Sequence, residues 1–404
     1  MDTLLPADRD PATGLFGRRR FGDEVDRALH DGGGALLVLR VQPTDLIPPV
    51  AHRLREDCGE GPVFGLTGPG EIGILLRGTA MGDARRIAER LVATVRETAF
   101  PADATAWGGL VRCPAGGGVE GHDLLIDAAE GWRRARASDV PVVTRFEPAP
   151  VVTRRLACRG WIDGIVHDGR LTLHAQPIRE TATGRVDRYE LLLRVRDELT
   201  GCPQPPGALL DTAERADAVL RIDLWAVARA VRLLEAFPQG PCLQVNVSGR
   251  SFGDPRLLAA VTHLLDRSGV RPDRLVLELT EIALIGNFTE ACRTAGRLRR
   301  LGCGLALDDF GAGYGSFRYL KYLPVDQVKI DGDFVVGLGH SRADRAMVEA
   351  VVSVCRALGV RAVAESVEDP ATLRVVEELG VDYCQGYLIG RPRPAVEVLG
   401  GGGV

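Results

Sequence analysis

The 404-residue chain lacks most of the features that assign a protein at first sight. Its nine cysteines (Cys58, Cys113, Cys158, Cys202, Cys242, Cys292, Cys303, Cys355 and Cys384) are odd in number and scattered, with no C-x-x-C pair. A disulfide framework or a zinc site is therefore not expected, and isolated thiols in a reducing compartment are. The seven histidines form no cluster, and His174 reads as a wall residue and not a ligand. No apolar run approaches the roughly 20 residues that span a bilayer. The opening MDTLLPADRDPATG has neither a basic n-region nor an apolar h-region. A soluble, cytoplasmic protein is the expectation. Charge of one sign is also missing, since 50 Lys and Arg stand against 54 Asp and Glu. Polymeric nucleic acid is thus a poor partner, while a small anionic ligand stays open.

What is present is length and order. The chain is long enough for two domains, each able to bury a core. The segment 138–156, SDVPVVTRFEPAPVVTRRL, carries Pro141, Pro148 and Pro150 and reads as a link, with the boundary near residue 150. Residues 398–404, ending LGGGGV, read as a flexible tail.

Beyond the link, eight short β-branched or apolar runs recur: 171–177, 187–194, 242–248, 274–280, 304–309, 326–331, 361–366 and 382–386. Most are separated by stretches with helical periodicity closed by glycine, such as FTEACRTAGRLRRLG. Eight strands alternating with helices predict an α/β fold, a (β/α)8 barrel over residues 151–397. Only IRETATGRV separates the first two runs, too short for a helical crossover. An antiparallel pair, and an irregular start to the barrel, follow.

Each run ends, or nearly ends, in a polar residue: Gln176, Glu190 with Arg194, Asn246, Glu278, Asp308 with Asp309, Lys329, Glu365 and Gln385. One such residue is unremarkable. Lys329 beside Asp331 could be a surface ion pair, Gln385 a strand-end hydrogen bonder, and Asp308–Asp309 a solvated turn. Eight in register converge on one barrel mouth, where active sites sit. Glu190, Asn246, Glu278, Asp308 and Asp309 offer only oxygen, which suits Mg²⁺ or Mn²⁺. Crowded carboxylates repel unless cations neutralise them, and two metals roughly 3.5–4 Å apart would do so and activate a water. Adjacent strand residues face opposite sides, so Asp308 and Asp309 share a site only if the backbone turns there. The glycines that follow, Gly311, Gly313 and Gly315, permit such a turn. The residues argue for metal-assisted hydrolysis of a phosphate ester.

The same residues, from about 157 to 397, resemble the EAL domain family of phosphodiesterases that linearise cyclic di-GMP to pGpG. YELLLR stands for the name-giving motif, and VNVS, LELTE, LDDFGAG, VKID, AESVE and QGY follow in order. The resemblance implies that Glu190, Asn246, Glu278, Asp308 and Asp309 hold two Mg²⁺ or Mn²⁺ ions, and that Lys329 contacts the attacking water. Glu365 and Gln385 would complete the polar surround, and Glu281 would anchor the loop after the fifth run. Arg194 would contact a substrate phosphate, and Gln176 and Glu368 the sugar or base. A homodimer through this domain is compatible with it. Trp225, which with Asp223 matches a helix pattern of the family, reads as packing. Three positions depart from the pattern: Leu191 for the name-giving alanine, Gly315 for a serine, and Ser366 for the glycine after Glu365. Leu191 bears on packing beside the metal ligand without removing a ligand, and Gly315 and Ser366 bear on loop order and rate more than on metal binding. A cyclic di-GMP receptor without turnover is the alternative.

Residues 1–150 resemble a degenerate GGDEF (diguanylate cyclase) domain, a smaller α/β unit. DPATGLFGRRRF opens it and LLIDAAEGWRRARASDVPVV closes it. Where the family has metal-binding aspartates this chain has ALLVLRVQ, with Arg40 and Gln42, and its signature turn is GPGEI, with Gly70 before Glu71. One glutamate facing an arginine cannot hold Mg²⁺ against two triphosphates. A cyclase is therefore opposed, a regulatory or dimerising unit expected, and GTP binding left open.

Overall fold

The protein is described from a computed structural model, covering residues 9–59, 61–68, 70–97, 104–115, 119–145, 151–197, 201–215, 218–280, 288–311 and 320–400. It divides into two compact units, Met1–Cys158 and Arg159–Val404.

The first unit is a five-stranded sheet of β1 (Gly34–Gln42), β2 (Val63–Gly68), β3 (Glu71–Arg77), β4 (Thr105–Cys113) and β5 (Val142–Arg145), in the order β2-β3-β1-β4-β5. Strand β1 reads as an unbroken apolar run from Gly34 to Leu39 because both faces are covered. Ala35, Leu37, Leu39 and Val41 pack with α2 (Ile47–Cys58) and α3 (Met81–Glu97). Leu36 and Val38 pack with α1 (Arg18–His30) and α4 (Gly121–Ala137). The expected link needs correcting here. Its Val142–Arg145 is an edge strand parallel to β4, and helix α5 (Val151–His167) crosses the division between the units. Four residues are too few to show a period, so flanking prolines hid the strand.

In the second unit all eight expected runs are strands: β6 (Leu171–Glu180), β7 (Val186–Arg196), β9 (Cys242–Asn246), β10 (Leu275–Thr280), β11 (Gly304–Phe310), β12 (Gln327–Ile330), β13 (Arg361–Ala364) and β14 (Tyr383–Gln385). Two-residue strands β8 (Pro203–Gln204) and β15 (Arg393–Pro394) flank them. Pairing runs β6-β14-β13-β12-β11-β10-β9-β7 and closes through β6–β7, so the eight form a barrel. Every pair from β7 round to β14 is parallel; β6 alone is antiparallel to both its neighbours. The irregular first pair is thus present, and its direction follows from the short hairpin.

Helices pack around the barrel: α6 (Gly207–Arg215), α7 (Val219–Ala236), α8 (Gly249–Phe252), α9 (Pro255–Ser268), α10 (Phe288–Leu301), α11 (Gly332–Val336), α12 (Arg342–Leu358), α13 (Pro370–Glu378) and α14 (Ala395–Gly400). Their starts carry readable caps. Asp254, Ser341 and Asp369 accept a first-turn backbone N–H, and left-handed Gly269 and Gly359 close α9 and α12. The expected tail is partly ordered: α14 reaches Gly400, and Val398 and Leu399 pack against the barrel core, an apolar contact that outweighs the glycines behind it. Residues 401–404 lie outside the described residues.

Candidate active site

Strand alternation sends one side chain in two to the inside of the barrel, and the polar strand ends meet there. Lys329, on β12, is only 1% exposed. Its Nζ lies 2.7 Å from Glu365 Oε1, 3.0 Å from Asp308 Oδ1, 3.1 Å from Glu278 Oε2 and 3.2 Å from Glu190 Oε2. The surface-pair reading of Lys329 is excluded by that burial; Asp331 instead caps α11, accepting from Asp333 N at 2.9 Å. Glu190 also accepts from Asn246 Nδ2 (2.6 Å) and Gln385 Nε2 (2.7 Å). Gln385 donates to Gln176 Oε1 (3.1 Å), and Gln176 donates to the Gly390 carbonyl (3.1 Å).

The two aspartates reach one mouth by a local break in β11. Asp309 adopts φ +53°, and the register against β12 shifts between Leu307 and Phe310. A left-handed residue in a bulge cancels the alternation that would face the neighbours apart. Oxygens of Asp308, Asp309 and Glu365 consequently lie within 4.8 Å of one another. Glu365, expected in the polar surround, thus stands with the aspartates. Gly311 follows with φ +107°, and an added Cβ would sit 2.7 Å from the Phe334 ring.

Charge in the cluster is far from balanced: four carboxylates share one ammonium and a fifth, Asp309, stands beside them. Burial acts against the Lys329 charge, but Asp308, Glu190, Glu278 and Glu365 hold its proton well above the ordinary lysine range. Burial would raise Glu190 too; Lys329 and the amide donors outweigh it and leave this carboxyl below its usual value. Burial pushes Glu278 well above the carboxylate range, with Glu190 and Asp308 adding to it. Burial likewise lifts Glu365 to about 7 and, with Asp308 beside it, Asp309 to about 6. Glu278 Oε1 is buried without a hydrogen-bond partner among the described residues. Surplus negative charge, an orphaned oxygen and an all-oxygen donor set together fit a hard divalent cation.

A cavity of about 820 Å³ opens beside these residues, lined by Arg194, Asn246, Ser248 and Arg250 among others. Half-buried Arg194 donates to the Leu193 carbonyl (2.9 Å), and Leu191 is in the core behind. Glu368 is exposed, and among the described residues no contact joins it to the cluster. Glu281, Gly313, Gly315 and Ser316 lie outside the described residues. Trp225 packs on the barrel core as expected. Burial, then Arg194, lowers the His174 imidazole, whose partner is the Pro392 backbone.

Several polar interior residues escaped sequence reasoning. Arg188 donates to Tyr383 Oη (2.8 Å), and Gln244 to Gln327 Oε1 (2.9 Å). They stand two positions before Glu190, Gln385, Asn246 and Lys329, so the period of two could have found them. Asp223, on α7, is buried and accepts from Ser248 N (3.1 Å) and Oγ (2.8 Å); burial lifts it to about 6.

In the first unit Arg40 and Glu71 are cross-strand partners. Glu71 accepts from Trp132 Nε1 (3.0 Å) and Thr67 Oγ1 (3.1 Å), and buried Arg40 lies over the Trp132 ring and against Gly70. The remaining acidic side chain is thus engaged internally.

Known proteins resemble this chain in sequence and in fold. The EAL domain family model matches residues 161–392. The bifunctional diguanylate cyclase/cyclic di-GMP phosphodiesterase MucR of Pseudomonas aeruginosa is 30% identical over 88% of this chain and 53% of its own length. The cyclic di-GMP phosphodiesterase PdeB of Shewanella oneidensis is 35% identical over 57% of this chain and 27% of its own. The chain thus spans about half or less of these curated relatives. The solved PaMucR phosphodiesterase in complex with c-di-GMP superposes with a TM-score of 0.57 at 32% identity, covering 60% of this chain and all of that one. The S helix-GGDEF-EAL structure of Vibrio cholerae LapD bound to c-di-GMP (TM-score 0.56, 16% identity) covers 95% of this chain and 96% of its own. It shares the fold, the first unit included. Matched over more than half its length, the chain belongs to the EAL domain family.

Proposed function

We propose that the second unit hydrolyses cyclic di-GMP to linear pGpG with two Mg²⁺ or Mn²⁺ ions. The observation that carries the reading is the convergence of Asp308, Asp309 and Glu365 oxygens within 4.8 Å, beside Glu190, Asn246 and Glu278. Bound there, two divalent cations would polarise a phosphate oxygen and make a water nucleophilic near neutral pH. Glu190, Asn246, Glu278, Asp308 and Asp309 hold them, with Glu365 joining the aspartates. Arg194, at the cavity wall, orients a substrate phosphate by charge-assisted hydrogen bonds. Lys329 orients the attacking water and offsets negative charge that builds on the phosphate. Gln385 and Gln176 fix the Glu190 carboxylate, and Gln176 and Glu368 face the sugar or base. Glu281, outside the described residues, keeps the loop-anchoring role that the family resemblance implies.

The first unit serves as a GGDEF-like regulatory domain without cyclase activity, with Arg40 and Gly70 standing where a cyclase needs carboxylates. A homodimer through the barrel unit is part of the same reading.

The test is to incubate the full chain with cyclic di-GMP and Mn²⁺ or Mg²⁺, with and without GTP, and separate the products. Appearance of pGpG supports hydrolysis, and a GTP-dependent rate supports regulation by the first unit. Ligand bound and recovered intact would make the protein a cyclic di-GMP receptor.

A further inference from the structure

The turn that follows Glu365 has a feature the phosphodiesterase reading does not use. Ser366 adopts φ +54°, one of three non-glycine residues with positive φ among the described residues. L-residues rarely occupy that region unless their surroundings over-determine it. Here both neighbours are tied down. Glu365 N donates to the Ile330 carbonyl (3.4 Å) at the end of β12. Val367 N donates to the Gln385 carbonyl (3.0 Å) at the end of β14, and the Val367 carbonyl accepts from Leu388 N (3.1 Å).

Two glycines close on this turn. A Cβ on Gly332 would stand 2.4 Å from Ser366 Oγ and 2.9 Å from its Cβ. A Cβ on Gly386 would stand 2.1, 2.3 and 2.5 Å from the Val367 carbonyl oxygen, nitrogen and carbonyl carbon. Neither glycine has a left-handed φ, so both are there for space and not for backbone freedom. Each also lies close in sequence to a residue of the site, three after Lys329 and one after Gln385. The grip therefore references Glu365 to β12, which carries its partner Lys329, and to β14, which carries Gln385 of the same network.

We infer that Ser366 is a positioning residue for Glu365, seated by the Gly332 notch and the Gly386 contact. The left-handed turn at Ser366 aims the Glu365 carboxylate at Lys329 and at the Asp308–Asp309 oxygens. A side chain at position 332 pushes the turn, and the carboxylate with it, away from them. The inference rests on the metal-dependent reading of the site and assigns no further ligand.

The experiment is a double-mutant cycle on the full chain, Gly332→Ala, Ser366→Gly and both together. It is read as kcat and KM for cyclic di-GMP and, separately, as the rise in Tm on adding Mn²⁺. Gly332→Ala is expected to lower kcat roughly 10²-fold, the cost of misplacing a reacting group by about an ångström, with KM near the wild-type value. Its Mn²⁺-induced rise in Tm shrinks as well. In the Ser366→Gly background the same substitution costs far less in both readouts. Should Gly332→Ala not fold, Ser366→Val crowds the same notch from an exposed position and gives the same kcat-selective loss. Equal losses from Gly332→Ala in both backgrounds, or no loss in either, would overturn the inference. A wild-type protein that turns nothing over removes the phosphodiesterase reading instead; the Mn²⁺ response of the four proteins then decides this one.

Discussion

Lys329 Nζ stands 2.7 Å from Glu365 Oε1 inside the barrel mouth, and three more carboxylates share the same ammonium at 3.0–3.2 Å. One buried cation among so many acids makes the pair a hinge between stability and chemistry. Lys329 is the group that holds these acids together.

Replacing that cation separates the two roles. Lys329→Met leaves buried carboxylates uncompensated, and breaking a buried pair in this way costs about 3 kcal/mol of metal-free stability. Urea unfolding should show that loss, and Mn²⁺ should stabilise the variant more than it stabilises the wild type. Turnover is lost in either case. A variant as stable as wild type in EDTA would show that the acids do not depend on Lys329.

The pH dependence of the metal-free protein has a defined sign. Burial raises Glu365 from 4.5 to about 7. Between those values the folded protein retains a proton that the unfolded chain has released, so this group's stabilising contribution, complete below about 4.5, disappears as pH rises through about 7. Glu365→Gln has no proton to lose. The Tm of Glu365→Gln minus that of wild type, measured in EDTA, should therefore increase from about pH 5 to about pH 8. A difference that is flat or falls with pH contradicts the assignment.

Asp309 carries a backbone role and a carboxylate role, which two substitutions divide. Asp309→Gly keeps the left-handed turn and removes the acid; Asp309→Ala removes the acid and strains the turn by about 1 kcal/mol. Both should be inactive, with Asp309→Ala melting at the lower temperature. Comparable melting temperatures would show that φ +53° at this residue carries no cost.

For the first unit the expectation is an absence of synthesis. Arg40 is buried against Trp132 and Gly70, and Glu71 is engaged by Trp132 and Thr67. Incubated with GTP and Mg²⁺, the full chain carrying Glu190→Ala should form neither cyclic di-GMP nor pGpG; formation of either would contradict the loss of cyclase activity.

Much of this was legible because barrel strands are short, apolar and bounded by polar ends. All eight runs became strands, and Gln176, Glu190, Asn246, Glu278, Asp308, Lys329, Glu365 and Gln385 all lie within the contacting network. What stayed hidden depends on backbone geometry. The need for a turn at Asp308–Asp309 followed from alternation, but no residue type announced that Asp309 itself is left-handed. Nor could the spacing place Glu365 with the aspartates, because that depends on the turn at Ser366. The strand Val142–Arg145 was masked by its prolines, and the Val398–Leu399 contact by the glycines behind it.

The most direct test is chromatography of cyclic di-GMP after incubation with the wild type in Mn²⁺, the wild type in EDTA, and Glu190→Ala in Mn²⁺. The expected result is pGpG from the first sample alone, because Glu190 links Lys329, Asn246 and Gln385 at the centre of the site. Product from Glu190→Ala at the wild-type rate, or from the wild type in EDTA, would contradict a metal-dependent phosphodiesterase built on these residues.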